Sequence, residues 1–190
     1  MPISTYRTFI AFDIEPNSKI TDAIDDIKKW LKIYKINWVD STKFHITLTF
    51  LGDTKIPLID EISFKLKQIA LKTNPFIVDV ENFGVFPNKK SPKVLWFGLK
   101  YTEQLTNLQM DISKTIEDFG FEIDTRPFKP HLTIARVKEM NSLTELESIF
   151  KKYSNFKFST QKIEKIIFYK STLQPQGAIY EPIEILDFKI

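Results

Sequence analysis

The 190-residue sequence predicts an α+β fold built from two similar lobes, each an antiparallel sheet covered by helices on one side. Three observations lead there. A strand-like run carrying His-x-Thr-x, followed by a turn and an amphipathic helix, occurs twice, at His45-Ile-Thr-Leu48 and His131-Leu-Thr-Ile134. Runs with a hydrophobic period of two alternate with runs of helical period along the chain. No linker or low-complexity segment interrupts them, so residues 1–190 are expected to form one domain. A pseudo-twofold arrangement would then set the two motif strands face to face.

The elements follow in order. Thr8 to Asp13 is a β-rich run, and Ile20, Ala23, Ile24, Ile27, Trp30 and Leu31 then recur at helical spacing behind Ser18, a candidate cap. Phe44 to Leu51 alternates strictly, with His45, Thr47 and Thr49 on one face and Ile46, Leu48 and Phe50 on the other, and Gly52-Asp53 closes it. Ile59, Ile62, Leu66 and Ile69, after Pro57, outline a second helix expected to pack beside that strand. Phe76–Val80 and Val94–Lys100 read as a hairpin around a long basic loop beginning at Asn82. Leu105, Leu108, Ile112, Ile116 and Phe119 form a third helix closed by Gly120. Pro127 and Pro130 stiffen an extended entry to the second motif strand, His131 to Val137. Ser142-Leu-Thr-Glu145 is a capping-box pattern opening a short helix through Leu146, Ile149 and Phe150. Three β-rich runs, 156–160, 163–169 and 179–186, complete the chain.

The absence of cysteine removes disulfides, thiolate metal sites and thiol nucleophiles, and suits a reducing compartment. The early Arg7 and the short apolar run Phe9 to Phe12 read as a strand rather than a signal peptide, and no stretch approaches a membrane span. A cytoplasmic monomer without membrane contact is the expectation. A net charge of +3 is too slight to define a polyanion binder by composition. Arg7, Arg126 and Arg136 are the only arginines, and two of them flank the second motif. Guanidinium is suited to bidentate phosphate recognition.

The two motifs hold every histidine in the chain, and each histidine has threonine at +2. With 16 threonines in 190 residues, chance alone yields this under about once in a hundred. In a strand, residues i and i+2 project from one face roughly 6.5–7 Å apart, so each pair lines a wall with one titrating group and one hydroxyl. One neutral and one protonated imidazole act together as general base and general acid near neutral pH. That division suits phosphodiester hydrolysis, with threonine hydroxyls donating to the oxygens where charge builds, and it requires no metal. A zinc site would need carboxylates to complete three protein ligands, and no HxH or HxxxH spacing supports one. Arg136, at +5 from His131, has the wrong parity for the histidine face of a regular strand. Lys89, Lys90 and Lys93 could attract a phosphate backbone, although a solvated turn is the commoner meaning of such a cluster.

These residues resemble the 2H phosphoesterase superfamily, and within it the RNA 2′,3′-cyclic phosphodiesterases once called 2′-5′ RNA ligases. The likeness extends to Arg7-Thr-Phe-Ile-Ala11, His45-Ile-Thr-Leu-Thr-Phe-Leu-Gly52, Phe83-Gly-Val-Phe-Pro87, Val94-Leu-Trp-Phe-Gly98, Phe128-Lys-Pro-His-Leu-Thr-Ile-Ala-Arg136 and Tyr169-Lys-Ser-Thr-Leu173 with Gly177 and Tyr180. The resemblance implies a bilobal fold with the motifs facing across a cleft. It implies cofactor-free and metal-independent opening of the terminal 2′,3′-cyclic phosphate of an RNA or nucleotide to a 2′-phosphomonoester. His45 would be the acid and His131 the base, roles that could be exchanged, with Thr47, Thr133 and Arg136 on the phosphate. A 2′-5′ ligase, a small cyclic-nucleotide phosphodiesterase and a non-catalytic RNA-end binder stand as alternatives.

Overall fold

The alternating segments pair into two antiparallel sheets in a computed structural model that describes residues 4–140, 142–175 and 177–189. The strands are β1 (Thr5–Asp13), β2 (Lys35–Trp38), β3 (His45–Lys55), β4 (Phe76–Phe86), β5 (Val94–Leu99), β6 (His131–Glu139), β7 (Lys157–Ile163), β8 (Lys165–Gln174) and β9 (Gly177–Asp187). The helices are α1 (Ser18–Trp30), α2 (Ile59–Ala70), α3 (Glu103–Asp118) and α4 (Thr144–Tyr153). One sheet has the order β3-β1-β8-β9 and the other β2-β6-β5-β4-β7. Setting β2 aside, β3-β1-β8-β9 corresponds to β6-β5-β4-β7, which is the expected pseudo-twofold with both motif strands in equivalent places. Four-residue β2 was too short to stand out from its periodicity.

Each sheet turns its apolar face to two helices. α2 and α3 lie on the first sheet, against β8, β9 and β3, while α1 and α4 lie on the second, against β7 and β4. The helix expected beside the first motif strand is thus α3 rather than α2, which packs on α3 and on the more distant strands β8 and β9 of the same face. α1 follows β1 of the first sheet yet covers the second, and α3 follows β5 of the second yet covers the first, so the lobes are interlocked by exchange of helices. Ile62, Leu66, Ile112 and Ile116 are buried in one layer, Ile20, Ile27, Leu146 and Ile149 in the other. Each such side chain contributes about 1.5–3 kcal/mol on burial. Phe97 and Phe158 stack with centroids 3.8 Å apart within the second layer. Gln161 ties the lobes together, accepting from the Glu15 N–H and donating to its carbonyl.

Several local expectations are corrected. Asn17 rather than Ser18 caps α1, its side chain accepting from the Ile20 N–H at 2.9 Å. The Ser142 hydroxyl reaches the Glu145 carboxylate instead of closing a capping box, and Tyr34 donates to the same carboxylate. β4 continues to Phe86, so the basic loop begins only at Pro87. Asn82 and Gly84 looked like breakers, but Asn82 takes a positive φ at a register shift, a conformation asparagine tolerates. Gly84 instead makes room for an indole: a Cβ there would lie 2.1 Å from ring carbons of Trp96. Within the basic loop, Lys89 folds back over the Phe150 ring of α4, 3.9 Å from its centroid.

Candidate active site

The two motif strands run alongside one another where the sheets meet, and each departs from regular pairing three residues after its histidine. β1 pairs Ala11 with Thr47 and then Ile10 with Thr49, leaving Leu48 as an extra residue. β5 pairs Trp96 with Thr133 and then Leu95 with Ala135, leaving Ile134 as the extra one. A bulge reverses side-chain parity beyond it. The strict alternation expected after Thr47 therefore fails. Thr49 turns to the helix side, 6% exposed, and hydrogen-bonds Ser113 of α3 at 3.0 Å, while Phe50 turns into the cleft, 48% exposed. In β6, Ile134 and Ala135 are both fully buried, and Arg136 comes onto the face of His131 and Thr133. The parity objection to Arg136 is removed by that bulge. The +5 positions of the two motifs are thus pseudo-equivalent, a phenylalanine on one wall and an arginine on the other.

The two histidines are held in the same way. His45 Nδ1 lies 2.8 Å from the Lys43 carbonyl oxygen and His131 Nδ1 lies 2.6 Å from that of Lys129. A carbonyl only accepts, so Nδ1 carries the proton in both rings and Nε2 is left for whatever occupies the cleft. Each ring also meets an aromatic partner edge-to-face: Tyr180 against His45 at 5.1 Å, Phe86 against His131 at 4.8 Å. Backbone anchor and ring contact together fix orientation before a ligand arrives.

Burial pushes both imidazoles below their ordinary pKa, and the carbonyl at each Nδ1 works against that by favouring the protonated ring. The Arg136 cation lowers both further, which puts its guanidinium within electrostatic reach of the pair. His131 also depresses His45. His45 alone has a carboxylate raising it, that of Asp13. Asp13 stands directly opposite His45 in the β1–β3 register and accepts a 2.9 Å hydrogen bond from the Tyr169 hydroxyl. Burial and this carboxylate push the Tyr169 phenol well above its usual range, so it remains a donor.

Of the residues singled out from sequence, His45 and Thr47 on β3 and His131, Thr133 and Arg136 on β6 stand on adjoining strands, with Arg136 acting electrostatically on both histidines. Of the lysines in the basic loop, Lys89 is folded back on α4. The aromatic surround was not anticipated. Phe9 touches His45, Phe50, Tyr169 and Tyr180 with centroid separations of 5.1–6.1 Å, and the Arg7 guanidinium lies 4.9 Å from the Phe50 ring centroid. Phe86 and Trp96 line the opposite wall beside His131. Period-2 spacing of Phe9, Ala11 and Asp13 was available as a signal; what it lacked was the knowledge that β1 pairs with β3. Among the described residues no group of three His, Asp or Glu side chains is placed to hold a metal ion, and no helix is long and apolar enough to cross a membrane.

Chemically, the cleft offers two Nε2 atoms of fixed tautomer, two hydroxyls and a guanidinium around a volume flanked by aromatic rings. That set fits an anionic ester carrying a planar group. The chain matches the family model described as LigT like Phosphoesterase over residues 14–96 and 100–180. It is 32% identical over 182 residues to the RNA 2′,3′-cyclic phosphodiesterase of Archaeoglobus fulgidus, covering 95% of this chain and 99% of the relative. It is 33% identical over 179 residues to the protein of the same name from Methanocaldococcus jannaschii, covering 94% and 98%. Among solved structures, TT0787 of Thermus thermophilus superposes with a TM-score of 0.79 at 21% identity, covering 96% of this chain and 98% of that one. LigT of E. coli in complex with 3′-AMP superposes with a TM-score of 0.73 at 19% identity, covering 98% and 99%. Motifs, paired sheets and sequence similarity over nearly the full length converge on one assignment: the chain belongs to the LigT-like phosphoesterases of the 2H superfamily.

Proposed function

We propose that the chain is an RNA 2′,3′-cyclic phosphodiesterase that opens the cyclic phosphate to a 2′-phosphomonoester without a metal ion. The observation that carries this reading is the matched pair of histidines on adjoining strands, each anchored through Nδ1 to a backbone carbonyl so that Nε2 is left available, with Arg136 acting on both. In this scheme one Nε2 takes a proton from water as the water oxygen attacks phosphorus, and the other gives its proton to the departing O3′. Thr47, Thr133 and Arg136 donate to the non-bridging oxygens, where negative charge grows toward the transition state. The relatives named RNA 2′,3′-cyclic phosphodiesterase support the substrate class. The deciding experiment incubates a short RNA bearing a 2′,3′-cyclic phosphate with the protein in EDTA, with mass spectrometry and phosphorus NMR as readouts. Addition of one water and a 2′-phosphomonoester signal are expected. A 3′-phosphate product, or turnover only on adding a divalent cation, overturns the proposal.

On the first wall, Phe50 supports a place for the nucleoside. Phe50 is half exposed and lies nearly parallel to Phe9, 12° between planes, with the Arg7 cation over it. Through the bulge it lies about one strand repeat, roughly 7 Å, beyond Thr47, where the base of a nucleotide with its phosphate on Thr47 would fall. Base–aromatic stacking contributes about 1–3 kcal/mol. Phe50→Ala is therefore expected to lower kcat/KM for adenosine 2′,3′-cyclic phosphate about tenfold more than for base-free ribose 2′,3′-cyclic phosphate. Equal losses on the two substrates would assign Phe50 to packing alone.

A further inference from the structure

Beyond Arg136 the two walls differ in charge. β2 is the strand of the second sheet without a counterpart in the first, and it lies along the outer side of β6, with Asn37 opposite Arg136 and Ile36 opposite Val137. Lys35 then pairs with Glu139, which leaves Lys138 as a bulged residue. Ile36 and Trp38 pack on the core and Val137 is buried. Lys35, Asn37, Arg136 and Lys138 therefore leave the sheet on its other face, the one that carries His131 and Thr133.

Lys93 joins them from the end of the basic loop. Its N–H donates to the Phe86 carbonyl at 2.7 Å and its carbonyl accepts from the Val137 N–H at 2.9 Å, which braces its backbone between β4 and β6. Lys35, Lys93 and Lys138 line one open groove of about 660 Å³ together with Tyr34 and Glu139. Lys35 is paired with Glu139 at 3.6 Å; among the described residues Lys93 and Lys138 have no ion-pair partner. The first wall, counted from His45 in the same way, has Phe50 where the second has Arg136, and Gly52 where it has Lys138. Arg7 on that wall stands opposite Asp53 and lies over the Phe50 ring. Aromatic surface thus continues from one histidine and positive charge from the other, which suits the bases and the phosphates of a single RNA strand.

We propose that Lys93 and Lys138 form a subsite for the 5′-phosphate of the nucleotide whose cyclic phosphate Arg136 binds, so that the protein takes the end of an RNA strand in preference to a free nucleoside cyclic phosphate. The inference rests on the hydrolase reading above and adds to it the part of the substrate upstream of the reacting end. Lys138 stands about 7 Å along β6 from Arg136, close to the step between neighbouring phosphates of an extended strand. Both lysines are exposed, so their pull on a phosphate is weakened by salt. Glu139, beyond Lys138 in the same groove, repels a further phosphate, so one upstream phosphate is read rather than a long run.

Two ligands that differ only in that phosphate, adenosine 2′-phosphate and adenosine 2′,5′-bisphosphate, test the subsite without turnover. In calorimetric titration at low salt the bisphosphate is expected to bind about tenfold tighter, the upper end of what two exposed ion pairs give. Its affinity should also fall more steeply with salt, by roughly 0.7 in logarithmic slope for each lysine contact. The double variant Lys93→Gln/Lys138→Gln should bring the bisphosphate down to the 2′-phosphate and leave the latter unchanged. A short RNA ending in a 2′-phosphate should keep most of the gain, and further nucleotides should add little. Equal affinity of the two adenosine ligands, or a gain that survives in the double variant, overturns the proposal. A gain for the bisphosphate that the RNA loses would assign the groove to a free 5′-phosphorylated nucleotide and overturn the strand reading. The two readings fail separately: a protein that shows the contrast but opens no cyclic phosphate keeps this subsite and loses the hydrolase reading, and one that hydrolyses without the contrast does the reverse.

Discussion

Replacing His131 by alanine should lower kcat/KM on a 2′,3′-cyclic phosphate end by roughly 10²–10⁴-fold, the usual range for loss of one general acid or base. His45→Ala should cost a similar factor. The double variant should fall far short of the product of the two losses, because a base without its acid, or the reverse, supports only part of the same transition state. Both rings stand on strands whose opposite faces are buried by Ile46 and Leu48 or Leu132 and Ile134, so the sheets should persist when the imidazoles are removed. Folding is checked by the unchanged dispersion of the NMR spectrum. The separate variants also carry a signature in pH. Each variant should lose one limb of the bell-shaped kcat/KM profile, the acid limb where the base has been removed and the alkaline limb where the acid has been removed. Parental activity in either variant would remove both histidines from the chemistry.

The His-x-Thr pairs and the two-lobed α+β plan were legible in the chain because each rests on local information. His-x-Thr is read within one strand, and helical spacing is read within one helix. What was hidden depends on pairing. The bulge at Leu48 follows from how β3 meets β1, and nothing in His-Ile-Thr-Leu-Thr-Phe announces that Thr49 will be buried, since its hydroxyl is satisfied by Ser113 on a helix 64 residues away. The second bulge left a trace: Ile134 and Ala135 are adjacent and apolar, which breaks the alternation of a half-buried strand just before Arg136. Asp13 and Tyr169 are hidden for the same reason, since the sequence does not show that β1 is flanked by β3 on one side and β8 on the other.

Arg136→Ala should cost about 10²–10³ in kcat/KM, comparable to removing a preorganised donor from the site of developing charge, and Arg136→Lys should recover little of it. Lysine keeps the charge but not the planar fork that engages two phosphate oxygens at once. The pH profile separates this role from a structural one. Arg136 disfavours protonation of both histidines; removing a cation raises a neighbouring imidazole pKa, so both limbs should move to higher pH in the alanine variant and stay near the parental position in the lysine variant. Asp13 differs from Arg136 in acting on one ring: Arg136 lowers both histidines, while Asp13 raises His45 alone. Loss of activity in Arg136→Ala with both limbs unmoved would place the guanidinium outside the histidine cleft, and with it the bulge at Ile134 would lose its functional reason.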